Sequence, residues 1–170
     1  DLGLDINKPT TRYYQTNREL EYHTDSCDIV GLLCLKTAKS GGHSALVSSV
    51  SIYNEMYQRR PDLLRLLLEP VATDRRGEVP EGQKPYFEIP VFNWHQGRLS
   101  AIYQRQYIES AQRFPEAPRL TPEKRAALDL FDALAEGGRV TMPFAPPFWG
   151  GHFGMLVDRF GVPWMVSSEH

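Results

Sequence analysis

The apolar positions of this chain change period several times along its length. Residues 1–17 are polar with turn signals and read as a covering loop. In "ELEYHTD" the alternation is weak: Leu20 and Tyr22 fall on one face, Glu21, His23 and Asp25 on the other. The run "DIVGLLCLKTA" has the length and composition of a buried strand, "KSGGHS" of a turn, and "ALVSSV" of another short strand. The period then lengthens. Ile52, Met56, Leu63, Leu66 and Leu67 recur at helical spacing, with Ser49 or Ser51 placed to cap the helix and Pro61 to divide it.

Two-residue alternation returns in "PVATDRRG" and "PYFEIPVFNWHQGRLSAIYQ", which read as strands with "HQGR" as a hairpin turn. "RQYIESAQRF" is a short helix. "LTPEKRAALDLFDALAEGG" predicts a longer one, with Thr121 as N-cap, Pro122 at the first position and Gly137–Gly138 as its end. "RVTMPF", "HFGMLVDRFG" and "VPWMVSSE" follow as short strands separated by Pro- and Gly-rich turns. Phe92, Trp94, Tyr86 and Tyr103 read as packing residues of the hairpin strands, and Arg75 and Arg76 as a solvated strand end with the alternative of meeting an anion.

Composition narrows the function classes. With 170 residues, 41% hydrophobic and 24% charged, the chain suits one globular domain. A net charge of −2 argues against nucleic acid as a partner. No apolar run approaches the roughly 20 residues that span a bilayer, so no membrane partner is expected. Cys27 and Cys34, with no signal sequence in view, read as free thiols of a reducing, cytoplasmic protein. The start at Asp1 suggests an excerpt of a longer chain or a processed product.

The candidate chemistry sits in "EYHTDSC". On an extended strand, residues two apart point the same way, so His23 and Asp25 present an imidazole and a carboxylate to one point. With a second histidine, that donor set is the facial triad of non-haem Fe(II) oxygenases. The stretch "YHTDSCDIVGLLCLKTAKSGGHSALVSSVSIYNEM", continuing through "FNWHQGRLSAIYQRQYIESAQRF" to "LTPEKRAALDLFDAL", resembles the TauD/TfdA family of Fe(II)/2-oxoglutarate dioxygenases over residues 1–134. The resemblance implies a double-stranded β-helix, a distorted jelly roll, with outer helices. It places two iron ligands at His23 and Asp25, and the hydroxyl that helps hold 2-oxoglutarate at Ser44, where the family's "GGDT"-like turn reads "GGHS". The family's distal N-x-x-x-x-H segment is missing, and so is the later arginine that grips the far carboxylate of 2-oxoglutarate. His43, His95, His152 and His170 remain as third-ligand candidates, and of these His152 lies far enough along the chain.

The tail, "GGRVTMPFAPPFWGGHFGMLVDRFGVPWMVSSE", is similar to the C-terminal end of the PhnB-like glyoxalase group of the vicinal oxygen chelate superfamily. In that likeness Glu169 compares with a metal-binding glutamate on a last strand. The expected architecture is therefore α+β: a partial, jelly-roll-like double-stranded β-helix with outer helices (residues 1–134), plus a C-terminal β-hairpin (residues 135–170) that turns near "DRFG" and docks on the sheet. The expected function is a dioxygenase-like protein that uses Fe(II) and 2-oxoglutarate to hydroxylate a small organic acid, with an incomplete site. The alternatives are a vicinal-oxygen-chelate module that binds a small ligand, completed by a homodimer through the C-terminal strands, and a non-catalytic chimeric remnant.

Overall fold

The computed structural model describes residues 4, 5, 8, 11, 15, 16, 18–27, 29–31, 44–148 and 150–168. Helix α1 (Ser49–Arg59) starts where the Ser48 hydroxyl accepts the Ser51 N–H at 3.2 Å. The cap is thus Ser48, one residue before the expected Ser49, because Ser48 is the residue with extended backbone and a side chain turned back onto the first turn. Pro61 divides the helical run as expected and opens α2 (Pro61–Leu67). The expected strand over "ALVSSV" does not form: residues 44–48 are in no strand, and Ser49 and Val50 already belong to α1.

Two hairpins follow. Strand β1 (Pro70–Asp74) pairs antiparallel with β2 (Tyr86–Pro90), and β3 (Phe92–His95) with β4 (Arg98–Ala101). Pro70 faces Pro90 at the end of the first ladder, and two residues without N–H groups stop the pairing there. The β3–β4 turn has positive φ at Gln96 and Gly97, the backbone a tight two-residue hairpin loop requires, as "HQGR" predicts. Helix α3 (Arg105–Ala111) and helix α4 (Pro122–Ala135) complete the body. Thr121 Oγ1 accepts the Lys124 N–H at 3.2 Å, Pro122 takes the first position, and Gly137 leaves the helix at φ 96°. The core gathers Ile52 and Met56 of α1, Leu63, Leu64 and Leu67 of α2, and Leu128, Phe131 and Leu134 of α4 around Val91, Phe92 and Tyr103.

Strands β5 (Gly138–Ala145), β6 (His152–Asp158) and β7 (Pro163–Ser168) form an antiparallel sheet of their own. Gly138 is needed at its start, since a Cβ there would lie 2.9 Å from the Val157 carbonyl oxygen. Among the described residues the sheet attaches through the "DRFG" turn, to helix ends and to the core. Phe160 packs on the core, Arg159 donates to the Ala133 carbonyl at the end of α4 (2.6 Å), and Asp158 accepts the Ser48 N–H (3.1 Å). The Asp158 carboxylate also accepts Phe160 N–H, Val162 N–H and the Trp164 indole N–H.

The architecture is thus mixed helix and sheet, with antiparallel sheets of two, two and three strands and no closed barrel among the described residues. Most of the expected strand at "DIVGLLCLKTA", the turn with His43, and Cys34, Trp149, Glu169 and His170 lie outside the described residues. Ile29 and Val30 are exposed and in no strand. Among the described residues, no helix is long and apolar enough to cross a membrane.

Burial works to raise the Asp158 carboxyl, but the N–H groups aimed at it hold it below the usual carboxylate range. A depressed folded-state value contributes stability above the unfolded value, and that contribution is lost as pH falls through the folded one. Asp158→Ala is expected to cost about 1–3 kcal/mol at neutral pH. Below about pH 4 the variant should approach the wild type. Urea denaturation at both pH values checks this.

Candidate functional site

The "EYHTD" segment is held by one residue of the second hairpin's exit. Thr24 N–H donates to the Tyr103 carbonyl at 2.9 Å, and Tyr103 N–H donates to Thr24 Oγ1 at 2.8 Å. His23 forms an isolated antiparallel bridge with Gln104, so the expected strand is reduced to a single bridged position. Tyr22 packs against the core, whereas Glu21, His23 and Asp25 are exposed, as the alternation predicts. Leu20 departs from it and is exposed.

Tyr103 is itself fixed on three sides. Its ring stacks on Phe131 with centroids 4.0 Å apart, and its hydroxyl donates to Asp132 Oδ1 at 2.5 Å. Burial, reinforced by the Asp132 carboxylate, raises the phenol far above its ordinary value, so it stays protonated and remains a donor. Arg105 binds the other Asp132 oxygen at 3.0 Å and Asp129 at 2.8 Å.

His23 Nδ1 lies 2.8 Å from the Glu21 carbonyl. A carbonyl only accepts, so Nδ1 carries a proton and Nε2 is the nitrogen that can offer a lone pair. A bond of this kind from the other ring nitrogen is what orients metal-binding histidines. Asp25 lines a cleft of about 380 Å³ with Thr24, Ser26, Asp74, Arg75, Gln104 and Tyr107 among its other walls. Asp74, which also lines it, is a buried carboxylate bonded by Arg113, Ser110 and the Arg76 N–H. Its desolvation would raise the carboxyl, but these donors outweigh burial and hold it below the usual range.

The other expected site residues are not gathered here. Ser44 is exposed and precedes α1 outside any element. His152 opens β6, in register with Ser168, and His95 ends β3 at its hairpin. Among the described residues, no three His, Cys, Asp or Glu side chains form a group that could hold a metal ion, so His152 does not join His23 and Asp25 in such a group. The role of Tyr103 was missed by sequence reasoning, which took it for a packing aromatic. Its one signal is position, in the middle of the three-residue link between β4 and α3.

Residues 4–146 match the family described as taurine catabolism dioxygenase TauD, TfdA family. The match runs past α4 and through β5. Over 133 residues the chain is 40% identical to FR-33289 synthase of Streptomyces rubellomurinus (strain ATCC 31215), covering 76% of this chain and 38% of that protein. Over 117 residues it is 32% identical to Taurine hydroxylase-like protein SAT17 of Stachybotrys chartarum (strain CBS 109288 / IBT 7711), covering 69% and 29%. A stretch of 37 residues is 46% identical to Protein YjdN of Escherichia coli (strain K12), covering 22% and 25%. The chain therefore spans well under half the length of these curated relatives.

Thr24→Val keeps the shape but removes the oxygen that satisfies the buried Tyr103 N–H. The expected loss is about 1–3 kcal/mol in chemical denaturation. Thr24→Ser, which keeps the acceptor, should retain most of the stability.

Proposed function

This chain belongs to the TauD/TfdA family, and from that premise we propose that it carries the metal-binding segment of an Fe(II)/2-oxoglutarate-dependent dioxygenase acting on a small organic acid. His23 Nε2 and Asp25 would hold the iron, and the Ser44 hydroxyl would bond 2-oxoglutarate. The observation that carries this reading is the His23 Nδ1 bond to the Glu21 carbonyl, which leaves Nε2 as the nitrogen to ligate an ion in the segment that also bears Asp25. When bound, iron with 2-oxoglutarate supplies the oxygen-activating chemistry. This chain's own contribution is to hold the imidazole in one tautomer and to fix the segment on Tyr103.

Fe(II) is met only in part by the described residues. The donor set stops at two, one short of the family's three, so no oxygen-activating step follows from them. Two donors hold a divalent ion weakly and leave its other positions to water. In anaerobic Fe(II) titrations, His23→Ala and Asp25→Ala are each expected to weaken binding about tenfold or more. His152→Ala is expected to change nothing, and a loss equal to that of His23→Ala would place a third donor on β6. Wild-type affinity in His23→Ala would overturn the reading.

A second reading concerns the tail. Strands β5–β7 pair only with one another among the described residues, although β5 lies within the family match; on this reading two copies of the sheet would complete a small-ligand site of vicinal-oxygen-chelate type by dimerising. Sedimentation equilibrium is then expected to show a dimer, and a monomer at high micromolar concentration contradicts it.

A further inference from the structure

Arg75 follows β1 directly and lines the cleft that Asp25 also lines. Its guanidinium lies 5.2 Å from the centre of the Phe87 ring, and its Nη2 donates to Gln83 Oε1 at 2.6 Å. Its Nε–H is buried and has no acceptor, and the same holds for the Nε–H of Arg76; of the two arginines, Arg75 is the one that lines the cleft. Buried donors without acceptors are rare in folded proteins, and each asks for an explanation. None of the ion pairs found among the described residues involves Arg75. The nearest buried acid in sequence, Asp74, is already saturated by Arg113, Ser110 and the Arg76 N–H. Arg76 points elsewhere: it donates to the Thr11 carbonyl at 2.7 Å and lies over the Tyr107 ring.

The backbone fixes this division. Arg76 and Gly77 both have positive φ (54° and 86°), and the Glu78 N–H closes the turn on the Arg75 carbonyl at 3.0 Å. Positive φ is unfavourable for arginine and persists only where the surroundings hold it. Here it sends two consecutive arginines to different places, one into the N-terminal segment and one into the cleft.

We propose that Arg75 is the anion-holding residue of this cleft and takes the carboxylate or sulfonate of a small organic acid. The incoming group replaces the exposed Gln83 amide on Nη2 and meets the adjacent Nε–H with its second oxygen. That side-on fork is the geometry a guanidinium offers to planar acids, and it pairs the orphaned donor. Asp25 and Glu78 also line the cleft, so an acid whose other end is cationic, as in taurine, is favoured there over one whose other end is a second carboxylate, as in 2-oxoglutarate. The inference rests on the proposed function for what the acid is, but not for whether it binds.

The test is calorimetric titration of the metal-free full chain with 2-oxoglutarate and, separately, with taurine. At least one is expected to bind, with Arg75→Gln weakening it about tenfold or more and Arg75→Lys restoring only part. Gln83→Ala, which removes the competing amide and leaves Arg75 intact, should bind at least as tightly as the wild type. Binding of 2-oxoglutarate alone assigns Arg75 to the co-substrate, and binding of taurine alone assigns it to the substrate acid. No binding of either anion, or equal binding by Arg75→Gln, overturns the proposal. His23→Ala separates the two readings: it should lose iron but keep the anion. A chain that binds iron through His23 yet ignores Arg75→Gln retains the function and loses this inference.

Discussion

The reciprocal pair between Thr24 and Tyr103 is the constraint on which the candidate site depends. Tyr103 spends both its N–H and its carbonyl on Thr24, and its side chain on Phe131 and Asp132 of α4. The segment bearing His23 and Asp25 is therefore tied through one residue to the largest helix of the body. A short polar segment loses conformational entropy on ordering and buries little apolar area in return. Tyr22 on the core and the Thr24 bonds are the contacts that offset this. Without them the two donors would belong to an unfixed loop, and the encounter of both with one ion would carry the full ordering cost.

Two buried carboxylates organise the rest by the same means. Asp74 closes the β1–β2 hairpin onto α3 through Arg113 and Ser110, and Asp158 closes the tail turn onto the cap of α1. Each is costly to desolvate, and each is surrounded by donors enough to keep it ionised. The consequence differs by place. Asp74 saturates the donors of Arg113 beneath the cleft and leaves Arg75 as the cation that lines it. Asp158 attaches a sheet whose strands, among the described residues, pair only with themselves, so that one turn carries much of its connection to the helical body.

What was legible in the sequence follows the range of the interaction. The ends of α4 are written in adjacent residues, Thr121, Pro122 and Gly137, and they appear where the sequence puts them. The β3–β4 turn is equally local. Ser48 as the cap of α1 was displaced by one residue because three serines compete within four positions and only backbone geometry chooses among them. "ALVSSV" has strand composition but finds no ladder partner among the described residues, so capping of α1 decides its end. The H-x-D pair was legible as chemistry. Its support was not, since Thr24 and Tyr103 are far apart in sequence. The attachment of the tail was hidden for the same reason: what Asp158 touches is a backbone N–H, which no side-chain pattern announces.

The central claim, that Tyr103 presents His23 and Asp25 as one divalent-ion site, is tested most directly by paramagnetic broadening of backbone amide signals with substoichiometric Mn(II), in the wild type and in Thr24→Val. The account predicts broadening centred on residues 23–25 and spreading to 103–104 across the bridge, weakened when the Thr24 hydroxyl is removed. Broadening centred on other surface carboxylates, with residues 23–25 and 103–104 unaffected, would contradict it.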